Sequence, residues 1–122
     1  MWYQKFEELP VWKLGDELNA RTTLLIKTAR EKGDYRFADQ LRGATLSVTN
    51  NIAEGFERNS TKEFIQFLGI AKGSAGEVRS LLYQASREKL IDQQQFDELR
   101  ALALELSRQL ANFIRHLRAK KA

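Results

Sequence analysis

Three glutamates, Glu54, Glu63 and Glu77, are spaced so that carboxylates from neighbouring helices could converge. Converging carboxylates can hold metal ions or divide the roles of acid and base. A di-metal carboxylate bundle also needs Glu-x-x-His pairs, and the sole histidine, His116, has Phe113 three residues before it. That centre is therefore absent from the sequence. His116 stands beside Arg115 and Arg118 near the chain end, where a solvated or interface role is expected. With no cysteine there is neither a thiolate metal site nor a disulfide framework. No Ser-His-Asp set, P-loop or dinucleotide-binding glycine motif occurs. The sequence thus assigns no catalytic residue, metal or cofactor, and reads as non-enzymatic. Asn59-Ser60-Thr61 matches a glycosylation acceptor but is read as a helix boundary, since the N-terminus has no secretory leader pattern.

Two other groups of polar residues remain. Asn51 and Glu54 lie three apart on one helical face, and Ser74 and Glu77 repeat that spacing further on. Buried polar groups need partners, at a cost of about 1 to 3 kcal/mol for each left unpaired. The four are expected to form a polar network, with Arg58 or Lys62 as counter-charges, that fixes helix register or subunit geometry. The second group is basic. Up to Leu106 there are 15 Lys or Arg against 16 Asp or Glu, whereas Arg108, Arg115, Arg118, Lys120 and Lys121 follow with no acid among them. The whole net charge of +4 comes from this end. Two explanations stay open: cations complement the macrodipole at a helix C-terminus, and cations repeated around an oligomer attract phosphates. No basic stripe interleaved with aromatics supports base-specific readout, so recognition of shape or backbone is expected.

The elements that would carry these groups are helices. Pro10 suits a first helical turn, and Val11, Leu14, Leu18, Thr22, Leu25 and Ala29 follow at one-face spacing. Gly33 is a stop signal and Asp34 an N-cap. Ala38, Leu41, Thr45, Val48, Ile52 and Gly55 mark a second helix. Ser60-Thr-Lys-Glu63 has the form of a capping box and opens a third, with its apolar seam from Phe64 to Ala85. Asp92-Gln-Gln-Gln95 is a second box, with Ile91 and Phe96 spaced as a hydrophobic staple, and a seam from Phe96 to Leu117 continues from it. The expected helices cover about 10-32, 35-57, 61-89 and 93-118. Short connections make sequential helices antiparallel neighbours, so the fold class is an all-α, antiparallel up-down-up-down four-helix bundle.

A chain of 122 residues fits a single domain over 1-122 with a sizeable core. Hydrophobic residues at 43% and charged residues at 30% fit a globular protein. No window approaches the roughly 20 apolar residues of a membrane span, and a cytoplasmic location is expected. The seams leave apolar residues over, among them Trp12, Leu24, Ile26, Ile70, Leu104 and Ile114. A second apolar stripe would need cover, for which self-association is the natural source. Gly69, Gly73 and Gly76 cost roughly 1 kcal/mol each inside a helix. They are expected to admit a neighbouring backbone, within the subunit or across an interface.

The run S47-V-T-N-N-I-A-E-G-F-E-R58, then K62-E-F-I-Q-F-L68, then I70-A-K-G-S-A-G-E77, resembles the four-helix-bundle family named for proteins encoded in intervening sequences of 23S ribosomal RNA genes. The F6-E-E-L-P-V-W-K13 segment and the last helix are similar too, so the likeness covers nearly the whole chain. Its signature residues here are Asn51, Glu54, Gly55, Glu63, Phe64, Gly73, Ser74 and Glu77. Family members usually carry proline where this chain has Thr49, a departure expected to remove a helix kink or ease a strained turn without changing the fold. The resemblance implies a ring-like homopentamer, kinship with accessory variability proteins of diversity-generating retroelements, and no enzymatic activity. Two functions follow as expectations. One is an oligomeric module that binds structured RNA or a ribonucleoprotein through the basic end of helix four. The other is an adaptor for a protein partner, a reverse transcriptase for example, without nucleic-acid contact.

Overall fold

The structure, a computed structural model, describes residues 3–121, with Lys121 described for its backbone alone. A short 3-10 turn at Phe6–Glu8 precedes four helices: α1 (Pro10–Glu31), α2 (Tyr35–Phe56), α3 (Thr61–Arg87) and α4 (Gln93–Lys121). α1 packs on α2, α2 on α3, α3 on α4, and α4 closes on α1, while the diagonal pairs make no close backbone approach. Among the described residues the architecture is all-α and the helices pack as an antiparallel bundle.

The connections explain the topology. Gly33 has φ 86°, and the Gly33 and Asp34 amides donate to the Arg30 and Ala29 carbonyls, the paired bonds that close a helix. The Asp34 carboxylate then accepts from the Phe37 amide at 3.2 Å and opens α2. At α4 the box is reciprocal: Asp92 accepts from the Gln95 amide at 2.8 Å, and Gln95 accepts from the Asp92 amide at 2.9 Å. At α3 only half of the expected box forms. Ser60 accepts from the Glu63 amide at 3.1 Å, but the Glu63 carboxylate takes the Ser60 hydroxyl instead of the cap's N–H.

The end of α3 also differs from expectation. It stops at Arg87 because Lys89 adopts φ 58°, with the Leu90 amide donating to the Ala85 carbonyl at 2.9 Å. A lysine thus does what Gly33 does at the first connection, and its residue type carried no signal of it.

Leu18, Leu41, Val48, Ile52, Leu68, Val78, Leu82, Leu106 and Leu110 are fully buried along the axis. Burial of side chains of this kind contributes about 1.5 to 3 kcal/mol apiece before the entropy of ordering them. Of the apolar residues left over by the seams, Ile26 and Ile114 belong to this core, and Trp12 packs partly against it. Leu24, Ile70 and Leu104 stay exposed, on three different helices. Two glycines permit close helix contact. A Cβ on Gly15 would stand 2.9 Å from Val48 Cγ1, and one on Gly55 would stand 2.6 Å from Phe67 Cβ. Around Gly69, Gly73 and Gly76 a Cβ would meet nothing within 4 Å, so these three serve no close approach inside the subunit.

Candidate nucleic-acid interface

Antiparallel packing puts the start of α1, the α2–α3 connection and the end of α4 at one end of the bundle. Gly55 lets α3 approach α2 there, and Phe64 ties three helices together. Its ring meets Phe56 at 6.0 Å and Phe113 at 5.6 Å, both edge to face. Such pairs add about 0.5 to 1.5 kcal/mol beyond area burial. Arg58 leaves α2 on the outside of this cluster. Its guanidinium meets Glu54 at 3.0 Å and Glu63 at 3.8 Å, and lies 5.0 Å from the centre of the Phe67 ring. These groups are substantially exposed, so the charge pairs contribute little stability. They hold one arginine in place.

The expected polar network forms only in part. The Ser47 and Ser74 hydroxyls lie 2.7 Å apart across the α2–α3 contact. The Asn51 amide donates to the Ser47 carbonyl at 2.7 Å and to its hydroxyl at 3.0 Å. Glu54 belongs instead to the exposed Arg58 pair, and Glu77 is exposed with no hydrogen bond or ion pair among the described residues. Positions three apart on a helix differ by about 60° in direction. That angle takes Glu54 and Glu77 out of the contact that Asn51 and Ser74 share. Asn51 and Ser74 are thus brought together, through Ser47, which sequence reasoning missed. The i−4 relation of Ser47 to Asn51 was the signal.

The basic end needs one correction. Arg108 is not an unopposed charge: its Nε donates to Glu105 Oε1 at 3.0 Å, and its Nη2 pairs with the other oxygen. A cut drawn after Leu106 separated two residues that lie one turn apart. Hydrogen bonds from Arg108, and then from Gln109 at 2.8 Å, lower the Glu105 carboxyl from 4.5 to about 2. The same carboxylate raises Arg108 further above its ordinary value. Beyond this pair, Arg115 donates to the neutral Asn112 at 2.7 Å and Arg118 is exposed. Neither meets a carboxylate among the described residues. Lys120 is exposed as well, and the side chain of Lys121 lies outside the described residues. His116 is exposed beside them.

Among the described residues no group of three or more His, Cys, Asp or Glu is placed to hold a metal ion. No helix among them is long and apolar enough to cross a membrane. What the arrangement offers chemically is a rigid, aromatic-braced bundle end with cations projecting from α4.

Residues 7–112 match the family model described as 23S rRNA-intervening sequence protein. A solved structure, a protein of unknown function from the S23 ribosomal protein family of Bacteroides thetaiotaomicron, is 25% identical with a TM-score of 0.80. The match covers 85% of this chain and 97% of that one. No curated protein matches the sequence.

Proposed function

We infer a non-enzymatic binding role from one premise, that the chain belongs to the family of 23S rRNA-intervening sequence proteins. In this reading it binds structured RNA, or a ribonucleoprotein, through the basic end of α4. The observation that carries it is the exposure of Arg115 and Arg118 on one side of that helix, with no carboxylate meeting either among the described residues. Phosphates gain most from cations that are not already paired, because binding releases their counterions without first breaking an ion pair. Assembly as a homopentamer, which the family resemblance suggests, would repeat the cationic end around a ring and strengthen the shared field.

The test is binding of a labelled RNA hairpin by the Arg115→Gln/Arg118→Gln variant. Charge substitution is preferable to truncation after Leu106, since Leu110, Ile114 and Leu117 are core residues. The reading expects weaker binding and a flatter salt dependence in the variant. Equal binding by wild type and variant contradicts it.

A second reading rests on Leu24, Ile70 and Leu104, which are 65%, 52% and 37% exposed. These side chains suit a protein partner, and kinship with retroelement accessory proteins would make a reverse transcriptase one such partner. Binding through them would be insensitive to salt.

A further inference from the structure

The cations at the end of α4 are one end of a longer feature. Tyr83 on α3 fixes how the outer edges of α3 and α4 line up. Its hydroxyl oxygen accepts from Arg100 Nε at 2.9 Å, and its ring meets Phe96 on α4 at 5.0 Å. From this anchor, positions seven apart return to the same side of a helix, since two turns take about 7.2 residues. On α3, Arg79 and Lys72 lie seven apart on the edge that Tyr83 shows to be beside α4. On α4, Arg108 and Arg115 lie seven apart, while Arg100 and Arg118 are five turns apart and flank them. Lys72, Arg108, Arg115 and Arg118 are exposed, and Arg79 and Arg100 are half-buried.

No carboxylate interrupts the rows formed by these six residues. The acids nearest in sequence are Glu77 and Glu98, each two residues and so about 160° round the helix from Arg79 and Arg100, then Asp97, which accepts from Gln93, and Glu105, which is taken by Arg108 and Gln109. Among the described residues, Lys72, Arg79, Arg100, Arg115 and Arg118 have no carboxylate partner. Beside Lys72 and Arg79 on the same helix, Gly69 and Gly76 present no side chain, and a Cβ at either would meet nothing within 4 Å.

We propose that this α3–α4 face is a track for a nucleic-acid backbone, with Lys72 and Arg79 on α3 joining the arginines of α4 as phosphate contacts. The proposal rests on the nucleic-acid reading above and extends it to a second helix. Charge complementarity chooses the occupant: a row of cations in which only Arg108 has a carboxylate partner suits a polyanion, and open glycine positions let a backbone lie close. From Arg100 to Arg118 the track rises about 27 Å at about 1.5 Å per residue. That is the length of about eight nucleotides of one strand at about 3.4 Å each. Tyr83, 45% exposed, stands at one end as a surface on which an unpaired base can stack.

The experiment measures binding of a labelled RNA hairpin across a salt series by wild type and three double variants. These are Lys72→Gln/Arg79→Gln, Arg115→Gln/Arg118→Gln, and, as a control of equal charge on α1 and its C-cap, Lys27→Gln/Lys32→Gln. Circular dichroism verifies that each is folded, and Lys72→Gln alone stands in should Arg79 be needed for folding. The track predicts that Lys72→Gln/Arg79→Gln flattens the slope of log K against log salt by about 1.4 to 1.8, for two contacts at about 0.7 each on a single strand or about 0.9 each on a duplex. The single variant should flatten it by about 0.7 to 0.9. If the α3 variant matches the α1 control while the α4 variant loses binding, the track is overturned and the α4 reading stands. Loss in the α3 variant with no change in the α4 variant overturns the two-helix track and the α4 reading together, and leaves the contacts on α3 alone. Wild type that binds no RNA at low salt overturns both.

Discussion

Replacing Gly55 by alanine should destabilise the protein, although the same change at most helical glycines stabilises. A Cβ there would lie 2.6 Å from Phe67 Cβ, 3.0 Å from Phe64 Cδ1 and 3.4 Å from the Phe64 carbonyl oxygen. Carbon atoms pack best at about 3.5 to 4.0 Å, so the first contact falls short by about 1 Å. Neither Cβ can rotate away, because each is fixed to its backbone, and α2 and α3 must separate. Overpacking of this kind costs about 1 to 3 kcal/mol, and a contact between two immobile atoms belongs at the upper end. Alanine's helix propensity returns about 1 kcal/mol. The net loss is about 2 kcal/mol, or a fall of about 8 °C in Tm for a chain of this size. Gly43→Ala is the matched control, since a Cβ there meets nothing within 4 Å. It should gain about 0.5 to 1 kcal/mol. Thermal melts followed by circular dichroism at one fixed protein concentration make the comparison. A Gly55→Ala protein that melts at or above wild type would refute the close-approach argument.

Lys89→Gly should raise stability by about 1 kcal/mol in urea titration, because glycine adopts φ 58° without the Cβ penalty that lysine carries. Ser74→Ala should cost about 1 kcal/mol in the same titration, since it removes the 2.7 Å bond across the α2–α3 contact; an unchanged midpoint would mean water replaces it. The Glu105 carboxyl is depressed to about 2 from 4.5, so its contribution is complete above pH 4.5 and is lost as pH falls towards 2. The Tm difference between wild type and Glu105→Gln should therefore vanish across that interval. It should also shrink in high salt, because the pair is partly exposed.

Much of the fold was legible because its signals are local. Pro10, the Gly33-Asp34 pair and the Asp92 to Gln95 box mark helix ends through their own backbone chemistry, and the 3.6-residue seams mark the core faces. What escaped depends on partners distant in sequence. Gly15 carries no local sign that Val48 and Thr49 press against it. Lys89 does not announce a left-handed conformation, and nothing local shows Ile26 and Ile114 joining the core rather than a second stripe. In the candidate site the same division holds. The cluster of cations at the end of α4 is visible in composition, whereas the pairing of Arg108 with Glu105 was hidden by counting charges from an arbitrary boundary. The alignment of Lys72 and Arg79 with the α4 arginines follows only once Tyr83 and Arg100 are seen in contact.

In the proposed function this bundle meets its partner through phosphate contacts. The most direct test is the salt dependence of wild-type binding to a structured RNA. The expected result is that log K falls linearly and steeply with log salt, by about 0.7 to 0.9 for each phosphate engaged. Binding that is indifferent to salt, or no binding at low salt, would contradict it and return the exposed Leu24, Ile70 and Leu104 to the centre of the problem.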